Sequence, residues 1–544
     1  MFFVSIDVMK KQALIHVENT EEIIDFAKFL SDNGWEILSA NKTEELLRNA
    51  EIPVTTEYTM QESAVHVADT STLIRRIFKS RYESYLQSRN EENGESIYLV
   101  CANLYPSMHS NKEKLGDLTK PINFFISTIL RNSFLNYKNI LILSDPKDYK
   151  EAMIQIRTEN ITDEFRYYLA GKALNLVSAF DAGVSSSILA NLSPSENSLK
   201  YLTLPLKLYT ELPSGMNEHQ KAWLYKYPVD NGIVASLSKM NTQELSFNLV
   251  NEASFAWEQV SSIYENLRNQ HPIKSFTCEE YEYTTQLTPL TGTVFSMAAK
   301  NKLILGASIS TNIYDSIKKT YSYDTENICD ATFGCSAVID QDAAKELIKC
   351  NFSVIVAPSF TDEAKEIFLQ NKNIHLVASS KILCTDFDLD VINGGFLLQS
   401  KDNLIFDKWF IKTKIRPSQK IADEMALGTR ILMSSKSNSA ILIKDFAVVG
   451  ITQSCKSAKK TIEYVLQDVL ENLSRNTDSN ENENIADVLV ADSSIKMCDS
   501  LKMLLSKGVS SIILSGTSLI DEELIRYCDE NNIVLVYSDL THIS

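Results

Sequence analysis

Short apolar runs that alternate with helical patterns constrain the fold of this chain more than any other feature. Residues 13–17 predict a strand, and apolar residues at helical spacing from 23 to 30 predict a helix that ends at Gly34. Residues 35–39 predict a second strand and residues 43–49 a second helix. Further apolar runs at 97–102 and 140–143 continue the alternation. Strands that alternate with helices pair in parallel, so we predict an α/β protein with a doubly wound sheet.

The chain is long enough for more than one domain. A length of 544 residues predicts two to four domains. The turn-forming segment Ser193-Pro194-Ser195-Glu196-Asn197-Ser198-Leu199 predicts a boundary between a domain of 11–195 and a larger region of 200–544. The clearest strands of the larger region are 353–357, 440–443, 487–491, 511–514 and 533–537. We expect this region to divide into two α/β lobes, about 200–370 and 371–544.

Composition excludes several classes of protein. A formal charge of −17 argues against binding to nucleic acid, which requires a basic surface. No apolar run reaches the roughly 20 residues of a membrane helix, and the N-terminus lacks the pattern of a secretory signal. The nine cysteines are scattered without metal-ligand spacing. We therefore predict a cytoplasmic protein with no metal, no membrane and no nucleic acid partner.

Several short motifs follow one another in a definite order. They are Asn103-Leu104-Tyr105-Pro106, Gly215-Met216-Asn217-Glu218-His219-Gln220-Lys221-Ala222, Glu244-Leu245-Ser246-Phe247-Asn248, Val356-Ala357-Pro358-Ser359-Phe360, Lys436-Ser437-Asn438 and Asp521-Glu522-Glu523. In this order they resemble the bifunctional purine enzymes that combine AICAR transformylase with IMP cyclohydrolase. The resemblance runs from about Lys11 to the C-terminus. It implies a methylglyoxal-synthase-like cyclohydrolase domain followed by a cytidine-deaminase-like, two-lobed transformylase region.

The cyclohydrolase half departs from the family at its nucleotide site. Ser39 and Thr43 match the ends of the family's Ser-Thr-Gly-Gly-Thr phosphate loop, and Tyr105 keeps a family position, so the resemblance implies substrate contacts for these three residues. Both loop glycines are replaced, and Glu18, Glu21 and Glu22 put three carboxylates where an anion should bind. The family's catalytic Asp and Lys fall on Asn123 and Leu135. We predict that this half has lost its activity.

The transformylase half keeps part of its site. The resemblance places the family's catalytic Lys-His pair on Lys300-Asn301, and it adds His219 and His542 as further catalytic matches. Substrate-binding matches are Asn217, Gln220, Lys436, Asn438, Gln453 and Asp492. Asparagine cannot accept a proton at neutral pH, so the base at position 301 is lost. Alternatives stay open: His219 as a structural histidine, Asn438 as a backbone cap and Lys300 as a solvated helix residue.

These features predict a divergent family member whose formyl transfer is impaired as well. Such a protein would be a pseudoenzyme that senses a purine nucleotide intermediate, or the partner of an intact homologue. The open alternative is an active enzyme that transfers a formyl group from the co-substrate 10-formyltetrahydrofolate to AICAR. The family's transformylase site lies between two subunits, so the resemblance also implies a homodimer.

Overall fold

The structure, a computed structural model, forms two compact units. Unit 1 is Met1–Thr210 with Leu224–Val229, and unit 2 is Glu211–Trp223 with Asp230–Ser544. The residues that the structure describes are 11–56, 73–74, 76–78, 96–104, 124–189, 201–227, 232–237, 246–268, 275–278, 281–283, 293–323, 325–371, 373–379, 387–402, 408–475, 484–492, 495–516 and 521–542. The predicted domain limits at 195–200 and the two-lobe division at 370–371 stay predictions.

Helices and strands alternate along both units. The helices are α1 Ile23–Asp32, α2 Asn41–Asn49, α3 Phe124–Leu135, α4 Tyr149–Arg157, α5 Asp163–Leu189, α6 Ile233–Ser236, α7 Phe247–Arg268, α8 Ile313–Ser322, α9 Gln341–Lys349, α10 Asp362–Leu369, α11 Gln419–Met433, α12 Ala458–Arg475, α13 Asp499–Ser506 and α14 Glu522–Glu530. The strands are β1 Gln12–His16, β2 Glu36–Ser39, β3 Thr55–Thr56, β4 Ile97–Ala102, β5 Leu141–Leu143, β6 Lys207–Leu212, β7 Ala222–Lys226, β8 Ser275–Cys278, β9 Tyr281–Tyr283, β10 Val294–Lys300, β11 Leu303–Ser310, β12 Thr332–Cys335, β13 Val354–Ala357, β14 His375–Ala378, β15 Phe387–Ile392, β16 Gly395–Ser400, β17 Lys408–Ile411, β18 Ala440–Lys444, β19 Ala447–Thr452, β20 Val488–Ala491, β21 Ser511–Ser515 and β22 Val534–Ser538.

Unit 1 is built on a five-stranded parallel sheet in the order β3-β2-β1-β4-β5. Successive side chains of a strand point to opposite faces, and β1 shows the consequence. Leu14 packs in a core with residues of α3 and α5, whereas Ala13 and Ile15 pack in a second core with residues of α1, α2 and α4. Both faces are therefore covered, and the predicted parallel sheet is confirmed.

Unit 2 contains a larger mixed sheet, as expected for an α/β protein. Its thirteen strands have the order β14-β13-β12-β10-β11-β19-β18-β20-β21-β22-β17-β8-β9. One core lies around β12 and β13, and another lies around β18, β20 and β21. The two parts of the sheet join where β11 pairs with β19. There Ser308 lies opposite Ala447, and the Ile309 N–H donates to the Phe446 carbonyl at 2.9 Å.

Gly306 allows α8 to lie close against β11. A Cβ atom at this position would lie 2.3 Å from the Thr320 carbonyl oxygen, which is backbone and has little room to move. The helix begins at an N-cap in which the Asn312 side chain accepts a hydrogen bond from the Asp315 N–H at 2.9 Å. Glycine and cap together fix the position of α8, from whose end the chain enters the site described below.

The helices in the described ranges are too short or too polar to cross a membrane.

Candidate functional site

A cavity of about 610 Å³ in unit 2 brings together residues from four elements. It is lined by the end of β10 and the turn after it, the start of β11, the end of β19 and one face of α12, together with the chain after α8. Two predicted site residues, Lys300 and Gln453, line it. A volume of this size is within the range of small-molecule sites.

Lys300 is the last residue of β10, so it is a strand residue and the alternative of a solvated helix residue is wrong. Its Nζ atom donates a hydrogen bond to the Cys329 carbonyl oxygen at 2.8 Å. This contact joins the end of β10 to the chain that follows α8. The catalytic role that the family resemblance implies for Lys300 stays a prediction.

Asn301 and Lys302 form a two-residue turn between β10 and β11. Both have left-handed backbone conformations, with φ values of 54° and 60°. Two-residue hairpins require such values, and asparagine is among the few non-glycine residues that adopt them readily. Burial raises the pKa of Glu252, and hydrogen bonds from the backbone N–H groups of this turn oppose that shift. Asn301 thus has a conformational role in the turn.

Gln453 fastens the opposite wall of the cavity to β11. Its Nε2 donates to the Ile304 carbonyl at 2.8 Å, and its Oε1 accepts from the Ile304 N–H at 3.3 Å. The Gln453 side-chain amide thus bonds both backbone groups of Ile304, as the backbone of a neighbouring strand would. Gln453 is therefore a brace between two chain segments, and its predicted contact with substrate stays a prediction.

The described lining also contains four titratable side chains that the sequence analysis did not single out. These are Tyr323, Glu326, Tyr464 and Asp468. The Tyr323 hydroxyl donates to Asp468 Oδ2 at 2.6 Å, across 145 positions of sequence. No local pattern predicts a pair so distant in the chain, because only the packing of α12 beside β19 brings the two residues together.

A second group of predicted residues lies at the start of β18. The Asn438 side chain donates to the Cys455 carbonyl at 3.0 Å, and the Lys436 carbonyl accepts from the Ser454 N–H at 3.0 Å. Asp492 Oδ1 accepts from the Ser439 N–H at 2.8 Å. These contacts fit the backbone-capping alternative for Asn438. The described lining of the 610 Å³ cavity contains none of Lys436, Asn438 and Asp492.

The remaining matches in unit 2 lie apart from the cavity lining. Asn217, His219 and Gln220 are exposed in the loop between β6 and β7. Gln220 Oε1 accepts from the Asn217 N–H at 3.0 Å, which stabilises that loop. His542 is buried, with Nδ1 2.6 Å from Asp402 Oδ2.

Comparison with known proteins relates this chain to one family of enzymes. The family model described as "AICARFT/IMPCHase bienzyme" matches residues 135–458, more than half of the chain. The chain belongs to this family. The "Bifunctional purine biosynthesis protein PurH" of Fusobacterium nucleatum is 27% identical over 544 residues, covering 98% of this chain and 99% of that protein. The protein of the same name from Brachyspira hyodysenteriae is 26% identical over 544 residues, with the same coverage.

One solved structure, described as "Crystal structure of ForH", covers 34% of this chain and 99% of its own, at 24% identity and a TM-score of 0.30. A score this low supports no argument. The relation to the bifunctional PurH proteins is distant but extends over the full length of the chain.

In unit 1, the two residues that match the ends of the family's phosphate loop bond backbone groups of β1 and of the residue after it. The Ser39 hydroxyl donates to the Ile15 carbonyl at 2.8 Å. The Thr43 hydroxyl donates to the Val17 carbonyl at 3.1 Å and accepts from the Val17 N–H at 3.2 Å. Tyr105 lies outside the described residues. Nucleotide contacts by Ser39, Thr43 and Tyr105 stay predictions.

Asn41 occupies the place of a family glycine and keeps a left-handed backbone, with φ of 56°. We expected loss of the glycines to hinder close approach of the backbone. The structure shows that asparagine adopts the left-handed conformation here, at the first residue of α2.

Three carboxylates in unit 2 lie at metal-ligand spacing: Glu424, Asp445 and Asp487, whose ligand atoms are within 4.8 Å of one another. The Lys420 ammonium lies among them, 2.7 Å from Asp445 Oδ1, 2.9 Å from Asp487 Oδ2 and 3.7 Å from Glu424 Oε1. Burial raises the pKa of Glu424 to about 7. A lysine thus supplies the positive charge of this cluster, which is an ion-pair network.

Proposed function

We propose that unit 2 transfers the formyl group of 10-formyltetrahydrofolate to the amine of AICAR, at the cavity that Lys300 lines. The observation that carries the proposal is that Lys300, whose Nζ atom donates to the Cys329 carbonyl at 2.8 Å, lines a cavity of about 610 Å³. End-to-end similarity to bifunctional PurH proteins supports the same function.

The chemistry of formyl transfer fits this lining. Attack of an amine on a formyl carbon places negative charge on the formyl oxygen, and a fixed cation beside that oxygen stabilises the transition state. Lys300 supplies such a cation. The amine must also lose a proton, and the lining offers carboxylates at Glu326 and Asp468 for that step.

Unit 1 supports a different conclusion for IMP cyclohydrolase. Ser39 and Thr43 direct their hydroxyls to backbone groups of β1 and the residue after it, and Leu135 stands at the family's lysine position. We propose that unit 1 stabilises the protein and performs no ring closure.

A second candidate is a family member that binds a purine nucleotide without turnover, as a sensor or as the partner of an intact homologue. Asn301 favours this candidate, because it stands at the family's histidine position and carries no proton acceptor. The two candidates share a ligand and differ only in turnover.

One assay separates them. Purified full-length protein is mixed with AICAR and 10-formyltetrahydrofolate, and release of tetrahydrofolate is followed. We expect turnover that falls at least about 10²-fold in Lys300→Met and is unchanged in Lys345→Met, whose exposed ammonium pairs with Asp342 on α9. Calorimetric binding of AICAR without turnover would establish the second candidate, and absence of both would refute both.

We also propose the finer features that the family resemblance implies, namely a methylglyoxal-synthase-like unit 1, a cytidine-deaminase-like unit 2 and a homodimer. Because His219 is exposed in its own chain, a second copy is the route by which it would reach a cavity. If two chains share each site, mixing inactive Lys300→Met with His219→Ala restores about a quarter of the turnover, since half of the dimers have one intact site. Activity of His219→Ala equal to that of the unmodified protein would contradict a catalytic role for His219.

A further inference from the structure

We infer that the Asp468 carboxylate, oriented by the Tyr323 hydroxyl, accepts the proton that the acceptor amine loses during formyl transfer. The inference rests on the proposed function and identifies the group that takes over from the family's histidine. Position 301 cannot do so, since an asparagine amide has no basic nitrogen. Its backbone is also committed to the two-residue turn, with φ of 54°.

The described lining of the cavity contains two carboxylates, and their surroundings differ. Glu326 is exposed in the chain that follows α8, whereas Asp468 is half-buried on α12. The half-buried side chain of Asp468 has less access to bulk water than the exposed Glu326, which favours Asp468 as the defined partner of a bound amine. The two oxygens of Asp468 also contact fixed donors: Tyr323 at 2.6 Å from Oδ2, and the Asn472 side chain at 3.4 Å from Oδ1. An acceptor held in one orientation needs little rearrangement when the proton moves.

A purely structural role for this pair would be to tie the end of α8 to α12. The same helix offers a natural comparison two residues earlier, because the Tyr321 hydroxyl donates to Glu346 Oε1 at 3.3 Å. That pair has the same chemistry and a similar position at the end of α8. It does not belong to the described lining of the cavity. Of these two pairs, only Tyr323–Asp468 shares a cavity with Lys300.

The proposed step conserves atoms and charge. A bond forms between the amine nitrogen and the formyl carbon, and the formyl oxygen becomes an oxyanion. The amine proton passes to the Asp468 carboxylate. The bond between the formyl carbon and the donor nitrogen then breaks, the carbonyl re-forms, and the same proton returns to the donor nitrogen. Asp468 ends the cycle ionised, ready for another acceptor.

Three variants of the full-length protein test the step. Asp468→Asn should lower kcat by about 10²–10³-fold and abolish the fall of kcat/KM at acid pH, with AICAR affinity by calorimetry changed less than about threefold. Tyr323→Phe should shift that acid limb to higher pH, because loss of a donor to the ionised carboxylate raises its pKa. Tyr321→Phe is the matched control and should leave the pH profile unchanged.

The outcomes distinguish this inference from the proposed function. Turnover in the unmodified protein together with an unchanged acid limb in Asp468→Asn and Tyr323→Phe would overturn the inference and leave the function standing. Loss of the acid limb in Glu326→Gln alone would likewise overturn it. No turnover in the unmodified protein would refute the function and this step together. Should Asp468→Asn fail to fold, the limb shift in Tyr323→Phe decides, and Asp468→Glu should keep the limb at a reduced rate.

Discussion

Asparagine stands in a left-handed backbone conformation at both predicted sites, and the two cases have opposite consequences. In unit 1, Asn41 replaces a family glycine and reproduces the backbone geometry with φ of 56°. In unit 2, Asn301 stands where the family resemblance places a histidine, and the same kind of geometry, with φ of 54°, comes without an imidazole. One substitution preserves a conformation and the other removes a chemical group. Whether a replaced residue matters therefore depends on what its position contributes, backbone or side chain.

Retained residues show the same contrast. Ser39 and Thr43 persist in unit 1 with their hydroxyls bonded to carbonyls at the end of β1, so the needs of the fold are sufficient to explain their presence. Lys300 persists in unit 2 at the edge of a cavity that also contains Glu326 and Asp468. Unlike the two hydroxyls, Lys300 lines a cavity together with ionisable groups, and this grouping favours a ligand. The comparison predicts that function survives in unit 2 and has been lost from unit 1.

The largest expected effect is a difference between the two activities of one preparation. Supplied with formylated AICAR, the protein should form IMP at the uncatalysed rate, whereas its formyl transfer should exceed background by at least about 10³-fold. The reason is that unit 1 keeps residues that brace its sheet, whereas Asn123 and Leu135 stand where the family resemblance places a catalytic Asp and Lys. Chromatography of IMP and release of tetrahydrofolate measure the two rates.

A companion variant sharpens this result. Because Asn41 already has a left-handed backbone, returning positions 41 and 42 to glycine should not restore IMP formation. Catalysed IMP formation by either protein would reverse the comparison between the units.

How far sequence reasoning reaches differs for fold and site. It predicted residues 97–102 as a strand, which matches β4, and it predicted the parallel sheet of unit 1, because periodicity and strand–helix alternation are local properties. Sequence reasoning did not predict the order of the thirteen strands or the Tyr323–Asp468 contact. Both depend on which distant segments pack together, and a contact across 145 positions leaves no trace in local spacing.

Substitution of Gly306 by Ala should destabilise unit 2 strongly, because β11 and α8 leave no space for a methyl group between them. The new Cβ would lie 2.3 Å from the Thr320 carbonyl, so α8 would have to move away from β11. We expect a loss of about 3 kcal/mol in the free energy of unfolding of unit 2. Gly171→Ala in α5 is the matched control: nothing lies within 4 Å of its Cβ, and helix propensity should stabilise unit 1 slightly. Equal unfolding midpoints in denaturant for the two variants would contradict this prediction.

The units should also respond oppositely to acid. In unit 1, burial lowers the pKa of His16 from 6.5 to about 4. The unfolded chain takes up a proton near pH 6.5 while the folded chain resists it, so stability falls as pH falls from 6.5 to about 4, by about 3 kcal/mol. Hydrogen exchange of β1, corrected for intrinsic rates, measures this loss. His16→Gln should remove it, and an equally steep pH dependence in that variant would show another group to be responsible.

In unit 2, Glu424 predicts the reverse slope. Burial raises its pKa from 4.5 to about 7, so the folded state holds a proton that the unfolded chain releases. Stability therefore falls as pH rises from 4.5 to 7. Glu424→Gln keeps an oxygen for the Phe446 N–H, which the carboxylate accepts at 3.1 Å, and it removes the buried charge. We expect a gain of about 1–2 kcal/mol at about pH 8 in denaturant unfolding and no gain at about pH 4. Destabilisation at the higher pH would mean that the ion pairs with Lys420 outweigh the cost of burial.

The smallest effect tests whether Thr43 is retained for the fold. Replacement by Val keeps its shape but leaves the Val17 N–H and carbonyl without the hydroxyl that they contact at 3.2 and 3.1 Å. We expect unit 1 to lose about 1–2 kcal/mol of stability, with formyl transfer unchanged. Thr158→Val is the control, because its hydroxyl bonds a helix carbonyl at the exposed end of α4 and its loss should cost less than about 0.5 kcal/mol. If Thr43→Val left stability unchanged, the contacts with Val17 would not explain why this threonine is present. Nucleotide binding by unit 1 would then be the better explanation.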